Sequence, residues 1–189
     1  MSQALAISAE RLGCSERTLR RYVNDGLLRG RRVGRGRLEL LAAEERYLGD
    51  HWELLRALRL ALRTEPAVRL AVLFGSSAVG EDDRDSDVDL LVVSRTPVPL
   101  AVAGMAMRLR RALDRQVDVV TMEQAEAMPS LLADALEEGR VLVDRDGLWP
   151  ALRHRRGEII VAAEAAESAS AANARRTVTG ARDRVAAAA

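Results

Sequence analysis

Lysine is absent from this chain, and its 189 residues hold one cysteine, one phenylalanine, two tyrosines, two tryptophans and two histidines. The single Cys14 excludes an intramolecular disulfide framework and fits a reducing compartment, so a cytoplasmic location is expected. Two histidines and one cysteine are too few for an ordinary zinc site. Any metal has to be held by carboxylates, which favours Mg²⁺ or Mn²⁺. No apolar run approaches the roughly 20 residues that cross a bilayer, and the start of the chain lacks a signal-peptide pattern. No membrane partner is expected.

What is present is a core-forming composition, 48% hydrophobic, and a net charge of +1 that conceals an asymmetry. Between Ser2 and Leu38 stand nine arginines (11, 17, 20, 21, 29, 31, 32, 35 and 37) against Glu10, Glu16 and Asp25. From Glu81 to Asp89 the balance reverses, with six acids (81, 82, 83, 85, 87 and 89) around Arg84. A basic front and an acidic loop imply two tasks in one chain.

In the basic front, a helical pattern carries Ala4, Ile7 and Leu12 on one side and stops at Gly13. Ser15 is a suitable N-cap for a second helix running to about Asp25, with Leu19, Tyr22 and Val23 inward and Gly26 as its stop. Two short helices joined at Gly13-Cys14 read as a helix-turn-helix. Arg17, Thr18, Arg20, Arg21 and Asn24 then occupy the exposed face of the second helix, side chains suited to phosphates and base edges. Beyond it, "RRVGRGRLEL" places Arg31, Arg32 and Arg35 in a basic wing. The core "LGCSERTLRRYVNDGLL" resembles the DNA-binding head of MerR-type regulators over about the first 40 residues. That resemblance implies major-groove binding as a homodimer.

Leu41, Leu48, Trp52, Leu55, Leu58 and Leu62 form a helical stripe, which "GDHWE" is expected to split, Gly49 ending one helix and Asp50 capping the next. The stripe is expected to pack on the chain's own domains rather than to form a dimer seam. Thr64-Glu65-Pro66 closes the region.

The stretch "FGSSAVGEDDRDSDVDLLVV" follows an alternating, β-branched run, "VRLAVLF". Gly75 permits a sharp turn and close approach to a ligand. Ser76 and Ser77 can open a short helix whose free N–H groups face a phosphate. Asp87 and Asp89, two apart at the start of a strand, emerge on one face, and "RQVDVVTM" supplies a third strand carrying Asp118. Two bare carboxylates 4 Å apart repel by about 4 kcal/mol at an effective dielectric near 20. With no lysine in the chain and no arginine adjoining these strand positions, a divalent cation is the expected partner. Gly-Ser, then Asp-Val-Asp, then a later apolar-Asp-apolar resembles the DNA polymerase β-like nucleotidyltransferase superfamily, in its minimal, antitoxin-like branch, over roughly Val68 to Met122.

The resemblance implies that Gly75, Ser76 and Ser77 cradle nucleotide phosphates. It makes Asp87, Asp89 and Asp118 the metal ligands and catalytic carboxylates, with Asp118 as general base. Its cofactor is Mg²⁺ or Mn²⁺, its substrate an NTP, and its acceptor a hydroxyl of protein or RNA. A HEPN-type toxin neutralised by AMP transfer, or a tRNA end, is the implied partner. Ser77 and Val79 stand where many minimal members carry arginines. The rival expectation is a non-enzymatic DNA-binding regulator whose second domain senses a nucleotide.

In the remainder, "PLAVAGMAMRLRRALDR" reads as a helix with Leu100, Met107 and Leu113 inward and its arginines outward. Asp144 and Asp146 read as loop acids, and His154 as surface. The expected architecture is α+β. A winged helix-turn-helix spans 1–40 and a helical connector 41–66. A small polymerase β-like domain, a mixed sheet flanked by helices, spans 67–156, and an Ala-rich extended or frayed tail spans 157–189.

Overall fold

A computed structural model describes residues 3–34, 36–83 and 86–170, apart from the side chains of residues 3 and 4. Two helices, α1 (Gln3–Arg11) and α2 (Glu16–Asn24), precede a hairpin of β1 (Gly30–Val33) and β2 (Arg37–Leu40). Ser15 is extended and its hydroxyl accepts the Thr18 backbone N–H at 3.1 Å, so the side chain satisfies one of the N–H groups that open α2. On α1 the buried residues are Leu5, Ser8 and Ala9, followed by buried Leu12 just beyond its end, whereas Ile7 is 61% exposed and the Ala4 side chain lies outside the described residues. The inward face therefore does not include Ile7, because the residues four and seven beyond Leu5 carry the contact.

One continuous helix, α3 (Ala42–Arg63), follows, and the expected break at Gly49 does not occur. Leu48, Trp52, Leu55, Leu58 and Leu62 are all buried along it, each contributing about 1.5–3 kcal/mol. A mid-helix glycine costs only about 1 kcal/mol, so the stripe wins. Leu41 lies outside the stripe as the N-cap residue and is 38% exposed.

The second half is a four-stranded mixed sheet in the order β5-β4-β3-β6, from β3 (Val68–Phe74), β4 (Val88–Ser94), β5 (Val117–Thr121) and β6 (Arg140–Asp144). The central β3 is antiparallel to β4 and β6, while β4 and β5 are parallel. The connection between β4 and β5 is α5 (Pro99–Leu113). Alternation in β3 divides the core: Ala71 and Leu73 pack with α3 and α5, and Leu70, Val72 and Phe74 pack on the opposite face. That opposite face is covered by α6 (Met122–Glu126), α7 (Pro129–Glu138) and α8 (Leu148–His154).

In α5 the buried pair is Met105 and Leu109, with Val102 and Leu113 packed beside them. Leu100 and Met107 are 82% and 54% exposed, which corrects the expected inward face. Asp144 caps α8 through the Leu148 and Trp149 N–H groups, and Asp146 pairs with Arg69. Residues 156–170 are helical and not extended, because Ile159 and Ala163 are buried and Ile159 joins the second core face. The rest of the expected tail, 171–189, lies outside the described residues. Among the described residues no helix is long and apolar enough to cross a membrane.

The first core face runs without interruption from Leu5 through α3 to Leu142. Arg140, 2% exposed, fixes this junction. It pairs with Glu44 at 2.7 and 3.0 Å, donates to the carbonyls of Leu27 and Ala78, and stacks 3.5 Å from the Tyr47 ring centre.

Candidate active site

Where β3 ends, the chain turns through Gly75 at φ +70°, ψ −160° into α4 (Ser76–Val79), which stops at Gly80 with φ +86°. A Cβ on Gly75 would lie 2.5 Å from Asp89 Oδ2. Left-handed backbone and absent space both require glycine here. Strand register supplies the rest: Phe74 opposes Asp89 across β3 and β4, and Asp89 opposes Asp118 across β4 and β5. Asp87 stands one residue before β4.

Asp89 is half-buried, while Asp87 and Asp118 are exposed. Burial, then the charges of Asp118 and Asp87, hold the Asp89 carboxyl above the usual carboxylate range. The strand register thus makes the three acids feel one another, and a cation among them would relieve the repulsion. The donor set is all hard oxygen and fits Mg²⁺ or Mn²⁺ in chemistry. Yet among the described residues no three His, Cys, Asp or Glu side chains gather closely enough to hold a metal ion. Asp118 is drawn elsewhere: Arg110 of α5 donates to it at 3.1 Å and to the Val117 carbonyl at 3.1 Å. An arginine does adjoin these strands, which sequence inspection missed because it comes from the helix that crosses back between them.

Ser76 is half-exposed at the turn. Ser77 is not in the open: it is 0% exposed, its hydroxyl donates to Asp82 at 3.0 Å, and its carbonyl accepts from the Tyr47 hydroxyl at 2.9 Å. Its side chain therefore serves the interior, bonded to Asp82 beneath the turn.

Asp82 is the centre of a network absent from the sequence reading. It accepts from His51 Nε2 at 2.6 Å, Arg115 Nη2 at 2.9 Å and Ser77 Oγ. Burial alone would raise its carboxyl, but these hydrogen bonds outweigh it and hold Asp82 below the usual range. Arg115 also donates to the carbonyls of Asp83 and Ser86, fastening the acidic segment just before Asp87; its Nε is buried without a partner among the described residues. His51 stacks on Tyr47 at 4.4 Å. Glu44, Tyr47 and His51 recur at three and four residues on one α3 face, the only signal in the sequence that they act together.

Of the residues expected to contact DNA, Arg17, Arg21, Asn24, Arg31 and Arg32 are exposed. Thr18 and Arg20 are half-buried; Arg20 pairs with Glu16, and Asn24 accepts from Arg32. Arg35 lies outside the described residues.

Residues 57–147 match the family model described as Polymerase beta, Nucleotidyltransferase. No curated protein matches the chain. Among solved structures, the crystal structure of the toxin-antitoxin with AMP-PNP superposes with a TM-score of 0.54 at 24% identity, over 64% of this chain and 98% of that one. A mutant of the toxin-antitoxin MntA-HpeT gives 0.54 at 23%, over 64% and 98%. A structure from Shewanella oneidensis gives 0.50 at 17%, over 65% and 98%. The similarity extends to the fold.

Proposed function

We propose that this chain is a nucleotidyltransferase that moves an NMP from an NTP to an acceptor hydroxyl. The observation that carries this reading is Gly75, held left-handed against Asp89, with Asp89 in register beside Asp118. This geometry falls inside the segment that matches the nucleotidyltransferase family model, which supports the same reading. The acceptor oxygen attacks the α-phosphorus, the bond to the bridging oxygen breaks, and pyrophosphate leaves. The turn at Gly75 and Ser76 lets the triphosphate approach the backbone closely. Asp118, once released from Arg110, takes the hydroxyl proton. Asp87 and Asp89 would hold Mg²⁺ or Mn²⁺, with Asp118 as third ligand, which would supply charge neutralisation for the leaving pyrophosphate.

The acceptor is proposed to be a HEPN-type toxin, with a tRNA end as the other candidate. Similarity of fold to toxin-antitoxin structures, one solved with AMP-PNP, supports that choice. The MerR-like head, α1 and α2 with the hairpin as wing, would bind DNA as a homodimer in the cytoplasm and regulate its own operon. The capped α2 and its exposed Arg17, Arg21 and Asn24 support this part.

Two observations favour a second reading, a DNA-binding regulator with a nucleotide-sensing domain: Asp118 is engaged by Arg110, and among the described residues no three acids gather closely enough to hold a metal. A single comparison separates the two. Transfer of label from α-labelled NTPs into host lysate is expected with wild type and Mg²⁺ or Mn²⁺, and abolished in Asp89→Asn, while DNA binding persists in both. No transfer with any nucleotide, together with nucleotide-dependent DNA affinity, would establish the regulator instead.

A further inference from the structure

A cavity of about 1280 Å³ lies away from the aspartates, lined by residues of α2, α3, β6 and α8. Neither Gly75 nor Asp87, Asp89 or Asp118 lines it. Its β6 wall begins at Val141 and runs to Asp144, the residue opposite Leu70, so it recedes from the Phe74 end of the sheet. Six arginines face it, Arg21, Arg56, Arg59, Arg63, Arg145 and Arg153, with His154, against the acids Asp25, Glu53 and Asp144.

Several of these groups already have work. Arg145 donates to the carbonyls of Leu62, Glu65 and Val68; Arg59 donates to the Leu142 carbonyl and stacks on Tyr22; Arg56 pairs with Glu53; Asp144 caps α8. Arg63 of α3 and Arg153 of α8 have no hydrogen-bond or ion-pair partner among the described residues, and Arg21 has only its stacking on Tyr22. Uncommitted guanidinium groups lining a concave site suit an anion that accepts paired hydrogen bonds, as phosphate does. A cavity of this size holds a small molecule with room to spare.

We propose that this groove is a second, metal-independent binding site for a phosphorylated ligand of nucleotide size, gripped by Arg63 and Arg153 with Arg21. The site stands apart from the transferase reading. Because Thr18, Arg21 and Asn24 of α2 form one wall, an occupant takes up side chains that the proposed DNA surface also uses.

Both tryptophans of the chain, Trp52 and Trp149, line the groove, so intrinsic fluorescence reports on it directly. The full chain would be titrated in EDTA with ADP, with inorganic pyrophosphate and with adenosine. ADP or pyrophosphate is expected to change the fluorescence, adenosine not, with an affinity that weakens as salt is added. The Arg63→Ala/Arg153→Ala double variant, altered only at exposed positions, is expected to lose at least tenfold in affinity, and Asp89→Asn none. ADP binding much tighter than pyrophosphate identifies a nucleotide, and equal binding a phosphate group alone. Absence of metal-free binding, or its loss in Asp89→Asn but not in the double variant, overturns the proposal. So does a double variant that binds ADP normally yet loses DNA affinity, which would make the groove part of the nucleic-acid surface.

Discussion

Two single residues decide the site. Gly75 combines φ +70° with a hypothetical Cβ 2.5 Å from Asp89 Oδ2. Gly75→Ala therefore forces both an alanine into a backbone region that is essentially glycine-only, costing about 1–3 kcal/mol, and displacement of the carboxylate. Transfer of label is expected to disappear while the circular dichroism of the fold remains. Asp82 matters for a different reason. Its carboxyl is held below the free value of 3.8, so its contribution is complete above that pH and is lost as the pH falls through the depressed value. Asp82→Asn takes that carboxylate away from the Arg115 guanidinium. It is expected to cost about 1–3 kcal/mol at neutral pH, and to match wild type in acid below that window. Thermal melts across pH 2 to 7 check this. A difference that persisted at the acid end would sink the assignment.

At the scale of the element, α3 shows local and global preferences in conflict. Gly49 and Asp50 form a legitimate stop-and-cap pair in sequence, yet the helix runs through them because five large side chains on one face are buried. Gly49 is exposed on the far side, and a Cβ added there would meet nothing within 4 Å. Gly49→Ala is expected to stabilise the protein by about 0.5–1 kcal/mol. On a chain this long that is a rise of roughly 1–4 °C in melting temperature. An unchanged or lower melting temperature would mean that the glycine is needed for a bend. α5 carries the complementary lesson: its apolar residues are dispersed enough that several inward faces fit the pattern. Packing against α3 and β5 selects Met105 and Leu109 and turns Arg110 onto Asp118.

For the whole molecule, the junction at Arg140 and Glu44 ties the two halves together. Both side chains are nearly inaccessible, and Arg140 reaches Leu27 from the basic front, Glu44 from α3 and Ala78 from the site turn. Removing one partner leaves a buried charge, so Glu44→Gln is expected to cost about 3–5 kcal/mol, and a paired apolar replacement of both much less. Chemical denaturation of the single and double variants measures the difference. Equal losses in both would show that packing, and not charge, fixes the junction. By itself the sequence determined the elements with strong local signatures. The Ser15 cap, the alternating β3, the Gly75 turn and the aspartates at 87, 89 and 118 follow from spacing and from what glycine and carboxylates can do. The tertiary structure alone decided which charges meet. Asp82 is one acid among six in its run, Arg110 one arginine among several on α5, and Arg140 and Glu44 lie 96 residues apart. Long-range pairing depends on how elements cross, and a linear pattern carries the periodicity of an element but not the position of its neighbours.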